Sequence, residues 1–271
     1  MRLGFCGPIA DAAKVRAAGF DFLEVNVQQV LQGTRDDAQW QATAPDPDKL
    51  PLPIEAANCL IPGDMPVIGP RRDLDALNTY MKRVAHRAAR LGIWTLVFGS
   101  GGARRRPDEV PPKLAAEHLY EFLEIAGDAC ASRNVTVVIE HLNRNETNTL
   151  NRLDECLALC DRVANPGVAM LVDTYHFGLE REDDQAVIDL GDRLKHVHIA
   201  EPVGRIQPGG HGDASPDAFD FVEFFAVLSK IGYDGRISFE GKLTAPLEET
   251  GRPLIAYVRD AWQAAREGVA G

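Results

Sequence analysis

"VTVVIEHLNRNETNTLNRLDECLALCDRVANPGVAMLVD" (135–173) holds a complete strand–helix–strand unit. Val135 to Ile139 are all apolar or β-branched, as expected of a strand covered on both faces. "LNRLDECLALCDRVA" (150–164) then spaces its apolar residues at helical intervals, and "VAMLVD" (168–173) returns to a continuous apolar run. Such an order implies parallel pairing through a helical crossover. The first strand leaves the core on Glu140, and six of the next seven residues are polar, among them a second acid, Glu146. A carboxylate at the end of a core strand demands a partner.

Outward from this unit the alternation continues. Further strands are predicted at 2–6, 22–27, 54–60, 94–99, 194–200 and 236–240, with helical patterns at 73–92, 113–133 and 217–232. The last helix follows "ASPD", where Ser215 is placed to cap and Pro216 to occupy the first turn. Eight parallel units allow an open doubly wound sheet or a closed barrel. The open sheet would carry a glycine-rich phosphate turn after its first strand. The turn here is "GFCGPIAD" (4–11), without that spacing. "GSGGAR" (99–104) has three glycines but lies at the fourth strand and lacks the P-loop Lys-Ser/Thr pair. The expectation is α/β: a single (β/α)8 TIM-barrel domain over residues 1–271, a size at which such barrels are often one domain. The Pro-rich loops 43–53 and 64–73 are both expected over its C-terminal mouth.

A net charge of −11 argues against a nucleic-acid partner. The one dense basic stretch, "GGARRRPD" (101–108), reads as a solvated loop. Five scattered cysteines without a CxxC pair suit a reduced, cytoplasmic protein. The N-terminus lacks the apolar core of a signal peptide, and no run is long enough to span a membrane.

In a barrel the C-terminal strand ends meet at one mouth. Here the fifth ends on Glu140, the sixth on Asp173, the seventh carries His198, and the eighth ends on Glu240. Three carboxylates around one point repel and raise each other's pKa unless a cation separates them. Three oxygen donors and an imidazole suit Mn²⁺ first, with Mg²⁺, Co²⁺ or Zn²⁺ as alternatives. His196 shares the face of His198 one layer deeper, where a hydrogen-bonded core role is expected. Loop candidates around the metal are Glu146, His176, Glu201, Arg205, His211 and Asp213.

The segments "IEHLNRNETN", "VDTYHF", "HVHIAE…GR…PGGHGD" and "ISFEG" resemble the xylose-isomerase-like TIM-barrel superfamily, in particular its ketose 3-epimerases and hydroxypyruvate isomerase. The resemblance implies that Glu140, Asp173, His198 and Glu240 bind a divalent metal and that Glu140 and Glu240 are the acid/base pair. It implies that Glu146, His176 and Arg205 grip the carbonyl end of a small carbohydrate; His211, on the same loop as Arg205, is a further candidate for substrate binding. The implied reaction is isomerisation or epimerisation through a metal-stabilised enediolate, in a chain that could form homo-oligomers. One departure stands out: Arg205 follows His198 by seven positions, whereas the epimerases place this arginine six after the histidine.

Rival activities share the scaffold. A lyase or dehydratase would form the same enediolate and expel a neighbouring group. An endonuclease IV-type nuclease needs histidines on the early strands, where this chain has Glu24, Asn58, Cys59 and "FGSG". His86 and His118 fall inside predicted helices. A non-catalytic sugar sensor would be expected to lose an acid/base glutamate. The sequence leaves open which sugar or keto acid is used, and whether the glycines of "GSGGAR" face a phosphate or permit close packing.

Overall fold

A computed structural model describes residues 1–212 and 214–269. In chain order the elements are β1 (Arg2–Cys6), α1 (Ala12–Ala18), β2 (Phe22–Asn26), α2 (Val27–Val30), α3 (Asp37–Gln41), β3 (Ile54–Asn58) and α4 (Leu74–Leu91). There follow β4 (Thr95–Phe98), α5 (Pro112–Ala131), β5 (Thr136–Glu140), α6 (Leu153–Val163), β6 (Val168–Asp173) and α7 (Thr174–Glu180). The chain continues through α8 (Asp184–Leu190), β7 (Leu194–Ile199), α9 (Phe221–Lys230), β8 (Arg236–Phe239) and α10 (Leu247–Val269). The eight strands form a closed barrel in sequence order, every neighbouring pair parallel, with β1 closing onto β8. This is the expected TIM barrel. Among the described residues no helix is long and apolar enough to cross a membrane.

The main core lies between the sheet and the surrounding helices. A smaller cluster of Val97, Val138, Ala169 and Leu171 fills the barrel itself. Alternate strand residues share a face, so Val138 lies beneath Glu140 and Leu171 beneath Asp173. At the opposite end, Arg2 and Arg236 both donate from Nε to Glu55 Oε2, at 3.2 and 2.6 Å. The cluster of acids and histidine lies at the other end, the C-terminal mouth.

Several local expectations change. The second crossover, for which the sequence names no helix, contains the short α2 and α3. Segment 43–53 leads into the N-terminal end of β3, where Pro53 accepts from Leu23 N, so it lies away from the mouth. Segment 64–73 does follow a strand end; Val67 N donates to Ala103 O and Gly69 N to His118 Nδ1. Helix α9 starts at Phe221 with Asp220 as its cap, accepting from Glu223 N at 2.9 Å. Ser215 instead closes a local turn, accepting from Asp217 N. Of the three arginines in 104–106, Arg104 is fully buried. It donates to the carbonyls of Phe98 and Leu150, tying the end of β4 to the loop after β5.

Candidate active site

Glu140, Asp173, His198 and Glu240 bring one ligand-capable atom each to within 4.8 Å of one another. Register explains the convergence: Glu140 pairs with Leu171, Asp173 with His198, and His198 with Ser238. His198 is the hub. Its Nδ1 lies 3.2 Å from Glu140 Oε1 and 3.2 Å from Glu240 Oε2. Its Nε2 points the other way, to Glu24 Oε1 at 2.9 Å. Asp173 serves two elements at once, since Oδ1 also accepts from Tyr175 N and caps α7.

Glu140 reaches its position because β4 ends in glycine. A Cβ on Gly99 would lie 2.2 Å from Glu140 Oε2, and one on Gly101 would lie 3.1 Å from the Glu146 carbonyl oxygen. Gly99 and Gly101 of "GSGGAR" thus admit neighbouring chain.

Arg205 closes the other side. Its Nη2 is 2.6 Å from Glu240 Oε2 and 3.4 Å from Asp173 Oδ2, and its Nη1 is 3.7 Å from Glu146 Oε1. The guanidinium stacks 4.6 Å from the centre of the Tyr175 ring. Gly204 and Arg205 are consecutive left-handed residues, with φ of 78° and 51°. With this backbone turn and seven residues after His198, the guanidinium reaches both acids.

His176 is buried, and its Nδ1 accepts from Asn143 N at 3.1 Å. Its Nε2 faces Asp173 Oδ2 at 3.6 Å without a hydrogen bond among the described residues. Asn143 also donates to Glu146 Oε1, linking the two halves of the loop after β5. His211 is held away from this cluster by a 3.0 Å hydrogen bond to Val203 O. Glu201 braces the same loop, accepting from Gly209 N and Phe219 N. Asp213 lies outside the described residues.

Burial and charge separate the acids. Burial pushes the Glu140 carboxyl up, and it pushes Asp173 up to about 7. Burial acts the same way on Glu240, but His198 and Arg205 outweigh it and hold that group below its ordinary value. For His198 burial favours the neutral ring, yet Glu24 and Glu240 dominate and hold it well above the usual imidazole range. The set has more negative than positive charge to accommodate. Three carboxylates and an imidazole fit a divalent cation by donor type and by mutual distance.

Two contributors are illegible as site residues in the sequence. Glu24 is fully buried and also contacts His196 Nε2 at 2.8 Å, so the deeper histidine is hydrogen-bonded as expected. Asn58 Nδ2 donates to Glu240 Oε1 at 2.8 Å. The only available signal was their place on the inward face, Glu24 midway along β2 and Asn58 at the end of β3.

An L-ribulose 3-epimerase from Methylomonas sp. (strain DH-1) is 37% identical over 136 residues, 50% of this chain and 45% of the relative. A ketose 3-epimerase from Arthrobacter globiformis is 30% identical over 136 residues, with the same 50% and 45% shares. The matches therefore span somewhat under half the length of these curated relatives. The fold superimposes on apo 3-keto-D-glucoside 4-epimerase from E. coli with a TM-score of 0.76 and 22% identity, covering 96% of this chain and 99% of the other. Residues 12–261 match the xylose isomerase-like TIM-barrel family, and the chain belongs to that family.

Proposed function

We propose that the chain is a divalent-metal-dependent isomerase or epimerase of a ketose or a related keto acid. The supporting observation is the convergence of Glu140 and Glu240, from different strands, on one imidazole nitrogen at 3.2 Å each. Held by Glu140, Asp173, His198 and Glu240, the cation (Mn²⁺ first; Mg²⁺, Co²⁺ or Zn²⁺ as alternatives) would polarise the substrate carbonyl and acidify the adjacent C–H.

In this reading one of the two glutamates removes the proton from the carbon beside the carbonyl. The other returns a proton, to the opposite face for an epimer or to the neighbouring carbon for an isomer. Arg205 and the free Nε2 of His176 bind substrate oxygens, and Glu146 accepts from a hydroxyl. His211, on the loop that carries Arg205, is assigned the far end of the substrate. The partner is a small carbohydrate, with no role for nucleic acid or membrane, and homo-oligomers are compatible with the reading. Five free cysteines support a cytoplasmic setting.

The test is a panel of pentuloses, hexuloses and short hydroxy-keto acids incubated with the Mn²⁺-loaded protein in D₂O and read by NMR. Deuterium beside the carbonyl of at least one compound, with its isomer or epimer formed, is expected. Metal binding without exchange on any compound would contradict the proposal.

A further inference from the structure

Below the four converging residues lies a second set of contacts, completely buried, that the reaction does not use. Glu24 stands between two histidines of the same strand. Its Oε1 is 2.9 Å from His198 Nε2 and its Oε2 is 2.8 Å from His196 Nε2. All three side chains have no solvent exposure. Ser238 Oγ lies 3.4 Å from the same His196 nitrogen. An ionised carboxylate has only acceptors to offer, so both imidazoles present N–H from Nε2. That requirement leaves Nδ1 of His198 as the nitrogen facing Glu140 and Glu240.

We propose that Glu24 is a positioning residue that fixes the tautomer and tilt of His198, so that Nδ1 is the nitrogen presented to a bound cation, and that His196 holds Glu24 in place. The inference rests on the metal-dependent reading above. It follows from the geometry of a ring gripped at both ends. A ligating imidazole whose distal N–H is held by a carboxylate cannot rotate, and loss of such a partner typically weakens metal affinity by about 10- to 100-fold. Cys6 also brings its sulfur to within 4.8 Å of donor atoms of Glu24 and His198. Both Glu24 oxygens are engaged by histidine, and burial pushes the Cys6 thiol up, so this trio is support for the site and not a second metal centre.

The test has two readouts. First, Glu24→Gln keeps the side-chain shape and can accept from only one imidazole. Calorimetric Mn²⁺ titration should show affinity lower by about 10- to 100-fold relative to wild type. Second, ¹⁵N NMR of the wild-type protein loaded with diamagnetic Zn²⁺ should show His198 coordinated through Nδ1 with a slowly exchanging proton on Nε2. This spectrum needs no variant, so it decides the matter even if Glu24→Gln does not fold. Coordination through Nε2, or unchanged affinity in a folded Glu24→Gln protein, overturns the proposal. Wild-type protein that binds neither ion overturns the metal-dependent reading itself, a result distinct from either of these.

Discussion

Gly99 shows how a residue without a side chain can decide where a buried carboxylate sits. It lies at the end of β4 outside the left-handed region, so its backbone would accept alanine. The obstacle is purely steric, a Cβ 2.2 Å from Glu140 Oε2. Overpacking a tight site generally destabilises it by about 1–3 kcal/mol. Gly99→Ala should therefore displace Glu140 and reduce both Mn²⁺ affinity and turnover by about tenfold or more, an effect of that size. Far-UV circular dichroism should stay native. Unchanged affinity and turnover would show that Glu140 has room to move. The four converging residues themselves were readable from the sequence because each ends, or nearly ends, an apolar run. Glu24 was not, because its role depends on a contact across the barrel to residues 172 and 174 positions away. Arg104 was misread for a related reason: a basic run suggests solvent, and only the fold reveals two buried carbonyls within its reach.

Strand limits came within two residues of the structure, since each strand is bounded by a change from apolar to polar sequence. Helix starts were less legible, because several residues near a start can cap and tertiary packing chooses between them. The entry to α9 illustrates this. Ser215 and Asp220 are both good caps by type, and it is Asp220 that accepts from Glu223 N. Asp220→Ala should lower unfolding free energy by about 0.5–2 kcal/mol, measured by urea titration, while Ser215→Ala should change it by less than about 0.5 kcal/mol. Equal effects would mean that the helix entry is held by something other than its cap. The loop before α9 carries a second lesson. It turns through consecutive left-handed residues at Gly204 and Arg205. Spacing alone could not show that the guanidinium still reaches Glu240.

At the scale of the whole molecule, barrel closure turns scattered positions into a single site. Glu24, Asn58, Glu140, Asp173, His198 and Glu240 come from six strands, and their only common property in sequence is a place on or just beyond a strand. At the opposite end of the barrel, Arg2 and Arg236 share the Glu55 carboxylate. The fold was decided by counting eight strand–helix units, and the site followed from the general rule that such barrels act at their C-terminal mouth. The substrate was not legible, since the reach of side chains such as His176, which the structure places in α7, and Arg205, on the loop after β7, is defined only by the fold.

The central claim is that Glu140 and Glu240 move the proton. Once the substrate panel has supplied a responsive sugar, its deuterium uptake in D₂O can be measured with Glu140→Gln and Glu240→Gln at saturating Mn²⁺, with bound metal quantified in each. General acid–base groups typically contribute about 10²- to 10⁴-fold, and each variant should lose exchange by at least that lower factor. Full exchange in both variants with the metal still bound would contradict the assignment.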